Sequence, residues 1–149
     1  MGSNKFITIG AFLVFLVISG IIYQKFYLPP ELSQAQLTGK TVEITMCSRK
    51  EKWFFDPQRP EANVGDKVVI KIFNEDTFDH GLALEDFGVN KRIFPRRETE
   101  ISFVANKVGE FPFYCSVPCG EGHLRQRGVL IVKPQGEEAL VQAPSSSCQ

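Results

Sequence analysis

The sequence predicts an all-β sandwich or barrel preceded by one N-terminal transmembrane helix. Three observations lead there: an uncharged apolar run near the N-terminus, short apolar or alternating segments beyond residue 40, and no long helical period among them. Once the apolar run is set aside, a chain of 149 residues has room for a single core. Its 17 basic and 17 acidic residues leave no net charge, so the overall balance gives no footprint for nucleic acid.

The run from Phe6 to Tyr23, FITIGAFLVFLVISGIIY, carries no charge and as a helix extends about 27 Å, close to the hydrocarbon thickness of a bilayer. Residues 1–25 therefore read as a retained single-pass membrane anchor. A cleaved signal peptide is the rival, with Ile18 to Gly20 a poor cleavage site. The amino terminus and Lys5 favour a cytoplasmic N-terminus and a main domain on the extracytoplasmic side. Pro29, Pro30 and the polar stretch after them mark residues 26–40 as a linker. The domain, residues 41–135, shows predicted strands at Val42 to Cys47, Trp53 to Phe55, Lys67 to Phe73, Gly81 to Leu84, Thr99 to Val104, Glu110 to Tyr114 and Val129 to Lys133. Gly65-Asp66, Asn74 to Asp76 and Lys107 to Gly109 supply turns. The tail, residues 136–149, is polar and predicted to be flexible.

The chemistry concentrates in CSVPCGEGHLRQ, Cys115 to Gln126. Two thiols lie four residues apart, His123 follows at the same spacing, and Gln126 offers an amide where one more ligand could sit. The other histidine of the chain is His80, in TFDHGLAL. Thiolates and imidazoles suit copper or zinc and suit magnesium or calcium poorly. On the predicted scaffold His80 ends one strand and Cys115 to Gln126 joins the last two, so distant residues meet at one end of the sandwich. Gly120 and Gly122 let the loop fold tightly. The spacing also admits a Cys115–Cys119 disulfide, a structural zinc or a single-copper site.

GDKVVIKIFNEDTFDHGLAL followed by GEFPFYCSVPCGEGHLRQRGVLIV resembles the copper domain of cytochrome c oxidase subunit II, over about Thr41 to Lys133. That family has a cupredoxin-like Greek-key fold with a dinuclear copper centre, CuA, and its short form carries one transmembrane helix. Its pattern is Cys, three residues, Cys, three residues, His, two residues, Met, with one upstream His; this chain has all but the methionine. The resemblance implies that Cys115 and Cys119 bridge two copper ions and that His80 and His123 each cap one. The Val117 carbonyl and Gln126 would be the weak axial groups. It further implies an electron-transfer subunit that takes electrons from cytochrome c or a small copper protein. These would pass to a haem-copper oxidase catalytic subunit, with no oxygen turnover by this chain alone. The alternatives are a free-standing anchored cupredoxin and electron input to another terminal reductase, such as one acting on nitric or nitrous oxide.

Two departures matter. Gln126 replaces a thioether by a harder oxygen donor, which favours oxidised copper, and it could instead point into solvent. Met1 and Met46 are badly placed to substitute. Val117 stands where many family members have a glutamate that helps bind magnesium, so that site is not carried over. The aromatics of KEKWFFDP, Trp53 above all, read as core packing. Cys47 and Cys148 could pair in an oxidising compartment, although a buried thiol and a free terminal thiol are the simpler states. Glu75, Asp76, Asp79, Glu85, Asp86, Arg96, Arg97, Arg125 and Arg127 could steer a redox partner, with a solvated face as the default.

Overall fold

The computed structural model describes residues 3–26, 39–140 and 143–148. The chain divides into two compact units, residues 1–34 and 35–149. In the first, α1 spans Ser3–Phe26. It is long and apolar enough to cross a membrane over Asn4–Tyr23, and none of that stretch is buried within the protein. Most of the predicted linker lies outside the described residues.

The second unit is built of nine strands: β1 (Thr41–Ser48), β2 (Phe55–Asp56), β3 (Glu61–Asn63), β4 (Lys67–Asn74), β5 (His80–Leu84), β6 (Val89–Ile93), β7 (Glu98–Val104), β8 (Gly109–Tyr114) and β9 (Arg127–Lys133). They form two sheets, in the orders β2-β1-β4-β7 and β3-β9-β8-β5-β6. One hydrophobic cluster joins them, with Ile44, Met46, Val68, Ile70 and Ile72 from the first sheet and Leu82, Leu84, Phe111, Phe113, Leu130 and Val132 from the second. This is a two-layer β-sandwich. Its sequence cause is the period of two along each strand, which sends Val42, Ile44 and Met46 inward and Thr41, Glu43 and Thr45 outward.

The two strands absent from the sequence reading, β3 and β6, are the edges of the five-stranded sheet. In β6 only the terminal residues Val89 and Ile93 are buried, with Asn90, Lys91 and Arg92 exposed between them. Such polar, short edges resist unwanted pairing and leave little hydrophobic pattern. The predicted strand at Trp53 is also displaced. Glu51 and Trp53 both have left-handed backbone, with φ of 55° and 50°, and pairing begins only at Phe55.

The tail and its cysteine require correction. Cys47 and Cys148 form a disulfide across a sequence separation of 101. Residues 143–148 are correspondingly docked rather than loose. Asp56 Oδ2 accepts from the Ser145 backbone N–H at 2.9 Å and from its hydroxyl at 2.6 Å. The Arg49 guanidinium donates to the carbonyls of Ser146 and Ser147, and to Asp56 and Glu75. Arg49, Asp56 and Glu75 are all buried, at 6, 7 and 7% exposure. Pairing offsets the desolvation each charge suffers. Burial alone would raise the Asp56 carboxyl, but hydrogen bonds from Ser145 and Arg49 hold it below the ordinary carboxylate value.

Replacing Cys148 by Ser is expected to lower the unfolding free energy by about 2 to 5 kcal/mol, because the crosslink closes a long loop. Denaturant midpoints that coincide for the two proteins would remove the clasp from the stability of the fold. Since the folded Asp56 value is depressed, its contribution is full above the ordinary carboxylate range and is lost as pH falls through the lowered value. The stability deficit of Asp56→Asn should therefore shrink in acid; a deficit independent of pH would contradict the assignment.

Candidate metal centre

The alternation that builds the core also delivers polar side chains to its end. On β8, Phe111 and Phe113 face inward, and Cys115 follows one step beyond the strand. On β5, Leu84 and Leu82 are preceded by His80; on β9, Val132, Leu130 and Gly128 are preceded by Gln126. On β1, Met46 is followed by Ser48. His80, Ser48 and Gln126 are each 0% exposed and Cys115 is 2% exposed. Register holds them level, since Tyr114 pairs with both Ala83 and Arg127 and the Cys115 N–H donates to the Gln126 carbonyl at 2.9 Å.

The two thiols form the middle of the cluster. Cys115 Sγ lies 3.6 Å from Cys119 Sγ, so no disulfide joins them. Each sulfur has one imidazole beside it: His80 Nδ1 at 3.7 Å from Cys115 Sγ, and His123 Nδ1 at 3.6 Å from Cys119 Sγ. The Val117 carbonyl is 3.2 Å from Cys115 Sγ, and Gln126 Oε1 is 3.4 Å from Cys119 Sγ. The structure thus brings together all six candidate residues. Gln126 points inward, not into solvent.

Each imidazole Nδ1 faces sulfur, which leaves Nε2 for other partners. His80 Nε2 meets Asp76 Oδ2 at 2.7 Å. Asp76 is itself fixed by the backbone N–H of Glu51 and stands next to Glu75, the partner of Arg49. The expectation that Asp76 and Glu75 lie on a solvated face is therefore overturned, as both are buried. A carboxylate behind a ligand imidazole sets its tautomer and orientation, the usual arrangement at metal sites. No sequence signal singles out Asp76 from the five nearby acids.

Two glycines around the ligand loop leave no room for a side chain. A Cβ on Gly81 would sit 2.3 Å from Ser116 Oγ, and without one the Gly81 N–H reaches Cys115 Sγ at 3.4 Å. A Cβ on Gly122 would fall within 2.2 Å of the Trp53 indole. Trp53 braces the ligand loop from outside the core proper, with Nε1 donating to the Cys119 carbonyl at 3.4 Å. Its core-packing reading is thus incomplete. His123 is half-buried and the adjacent Leu124 is 75% exposed, while Phe78, 38% exposed, packs its ring 5.2 Å from that of His80.

Electrostatics separates the two thiols. Burial pushes the Cys115 thiol up, but the hydrogen bonds of His80 and of the Gly81 and Val117 backbone outweigh this and bring it down to about 6. Burial, together with the charge on Cys115, pushes Cys119 up to about 12. His80 is desolvated, yet its hydrogen bonds to Cys115 and Asp76 raise it. A cation would relieve the repulsion between two thiolates so close together. The donor set, soft sulfur with imidazole and weak carbonyl oxygens, fits copper.

Residues 12–132 match the cupredoxin-like domain family. The chain belongs to that family. A nitrous-oxide reductase from Stutzerimonas stutzeri is 32% identical over 99 residues, 64% of this chain and 15% of that protein. The chain therefore spans under a sixth of this curated relative. Among solved structures, the periplasmic domain of subunit II of the cytochrome oxidase of Bradyrhizobium japonicum superposes with a TM-score of 0.56 at 22% identity, covering 63% of this chain and 85% of that one. A chain of a heme-copper terminal oxidase dimer gives 0.54 at 22% identity, covering 89% of this chain and 100% of its own length. At such identities these likenesses show the fold.

In the metal-free protein, thiolate absorbance is expected to rise for one thiol with a midpoint of about 6 and for the second only in strong alkali. Gly81→Ala keeps the backbone N–H, but its Cβ would push that group away from Cys115 Sγ, and the lower midpoint should move upward by up to about 1 pH unit. Two thiols titrating together near the ordinary thiol value would contradict this asymmetry.

Proposed function

We propose that this chain is a membrane-anchored electron-transfer subunit with a dinuclear copper centre of the CuA type. The observation that carries the reading is the paired arrangement: two thiols 3.6 Å apart, each beside a single imidazole nitrogen. One copper would need one thiolate and both histidines together, whereas here the histidines stand beside different sulfurs. Cys115, Cys119, His80 and His123 would hold the copper ions, with the Val117 carbonyl and Gln126 Oε1 as weaker oxygen donors. When bound, the copper pair supplies a one-electron couple spread over both ions.

The protein's own part is to keep that site still. His80 is held by Asp76, Cys115 by the Gly81 N–H, and the ligand loop by Trp53. A rigid ligand set minimises bond changes on electron transfer, and burial excludes water from the sulfurs. Half-buried His123, with exposed Leu124 beside it, offers the face for a donor. Apolar contact of that kind suits a transient redox partner, cytochrome c or a small copper protein. The apolar α1 would anchor the subunit, with its copper domain on the periplasmic side.

The acceptor we propose is a haem-copper oxidase catalytic subunit, supported by the likeness to a cytochrome oxidase subunit II domain and to a chain of a heme-copper terminal oxidase. The nitrous-oxide reductase relative favours a second reading, electron input to a reductase of that kind. Mild extraction decides between acceptors: copurifying haem supports the oxidase, and its absence supports the second reading. Copper loading of the whole protein is expected to give two coppers per chain and a delocalised mixed-valence electron paramagnetic resonance signal. One copper with a mononuclear signal would refute the dinuclear assignment.

A further inference from the structure

Gln126 is held at both ends of its amide. Oε1 lies toward Cys119 Sγ at 3.4 Å, and Nε2 donates to Ser48 Oγ at 2.8 Å. Ser48 ends β1 of one sheet, Gln126 immediately precedes β9 of the other, and both are fully buried, so no solvent competes for this bond. We propose that Ser48 is the positioning residue of the metal centre that turns the Gln126 carbonyl oxygen toward the metal and keeps the amide nitrogen away from it. The proposal rests on the copper reading above and concerns this chain's departure from a thioether at that position.

Ser48 is suited to the task because it cannot move. Its backbone is paired on one side with Phe55 of β2 and on the other with Asn74 of β4, and its carbonyl accepts the Glu75 N–H at 3.0 Å. On one side in sequence Cys47 is crosslinked to Cys148, and on the other Arg49 is clamped by Asp56, Glu75 and the tail carbonyls. Gln126 is restrained as well, through its carbonyl to Cys115 and its N–H to His123. A fixed acceptor therefore meets a fixed amide. An amide with two similar ends is a useful ligand only if something chooses between them, and Ser48 is the polar side chain that contacts the nitrogen end.

The test uses copper-loaded full-length protein carrying Ser48→Ala, Ser48→Thr or Gln126→Met, and the Ser48→Ala/Gln126→Met pair. Ser48→Ala is expected to shift the visible absorption and copper hyperfine pattern. At a fixed poise it should raise the reduced-to-oxidised ratio by about three- to tenfold, the effect of one lost hydrogen bond. Ser48→Thr should restore the wild-type spectrum. In the Gln126→Met background Ser48→Ala should leave spectrum and potential unchanged. A silent Ser48→Ala, or an effect that persists in the Gln126→Met background, overturns the proposal. If Ser48→Ala does not fold, the comparison of wild type with Ser48→Thr and the Gln126 side-chain resonances decide it. In metal-free protein the Gln126 amide protons should be shifted and slow to exchange with solvent. Rapidly exchanging protons there overturn the positioning role even if copper binds, whereas wild type that binds no copper refutes the functional reading and leaves the amide measurement to judge Ser48 separately.

Discussion

The fixed parity of the β-strand is the constraint on which this protein depends. Side chains two residues apart share a face, so a strand that buries Phe111 and Phe113 must turn Cys115 the same way. The same rule takes Leu82 to His80, Leu130 to Gln126 and Met46 to Ser48. Four strands from two sheets therefore run out of apolar residues at one end of a common interior. The hydrophobic core does more than stabilise the domain, because its registry sets where the polar atoms converge. A one-residue slip of β9 would place Arg127 inside and Gln126 outside.

Placing so many polar groups at the end of a core has an electrostatic consequence. Burial disfavours charge, and the structure answers with an unbroken series of partners. His80 is backed by Asp76, whose neighbour Glu75 binds Arg49; Arg49 in turn binds Asp56 and the tail carbonyls. No buried side-chain nitrogen or oxygen among the described residues lacks a hydrogen-bond partner. The C-terminal segment thus belongs to the support of the site, since it covers the far end of the same series. The disulfide holds that cover in place at Cys47, one residue from Ser48.

What could be read from sequence follows the distance over which each signal acts. The Cys115 to His123 spacing is local, and the strands around it carry strong alternation, so the convergence of thiols and imidazoles was legible. Edge strands β3 and β6 were not, because short polar strands have no alternation to detect. The orientation of Gln126 was hidden by a boundary: predicted pairing began at Val129, whereas β9 begins at Arg127, and only the earlier start places Gln126 in the inward series. The roles of Asp76 and Ser48 escaped, and the Cys47–Cys148 pairing stayed open, for a different reason. Their partners lie across a turn, across the two sheets and 101 residues away, and no periodicity encodes such contacts.

The substitution at Gln126 brings these arguments together. A thioether needs only an apolar pocket, since it has no hydrogen to satisfy. A primary amide in the same place brings two N–H groups that burial would leave unmet at about 1 to 3 kcal/mol. The chain compensates with Ser48, set on the most restrained stretch of β1 and matched in parity to face the amide. Exchanging one side chain at this position therefore draws in a partner from the opposite sheet. Under the copper reading, the harder oxygen favours the oxidised state, so a donor to this centre would have to deliver electrons at a lower potential than one serving a thioether-bearing relative. Selectivity for such a donor would then arise inside the sandwich, from the Ser48–Gln126 pair, as well as from the exposed face around His123.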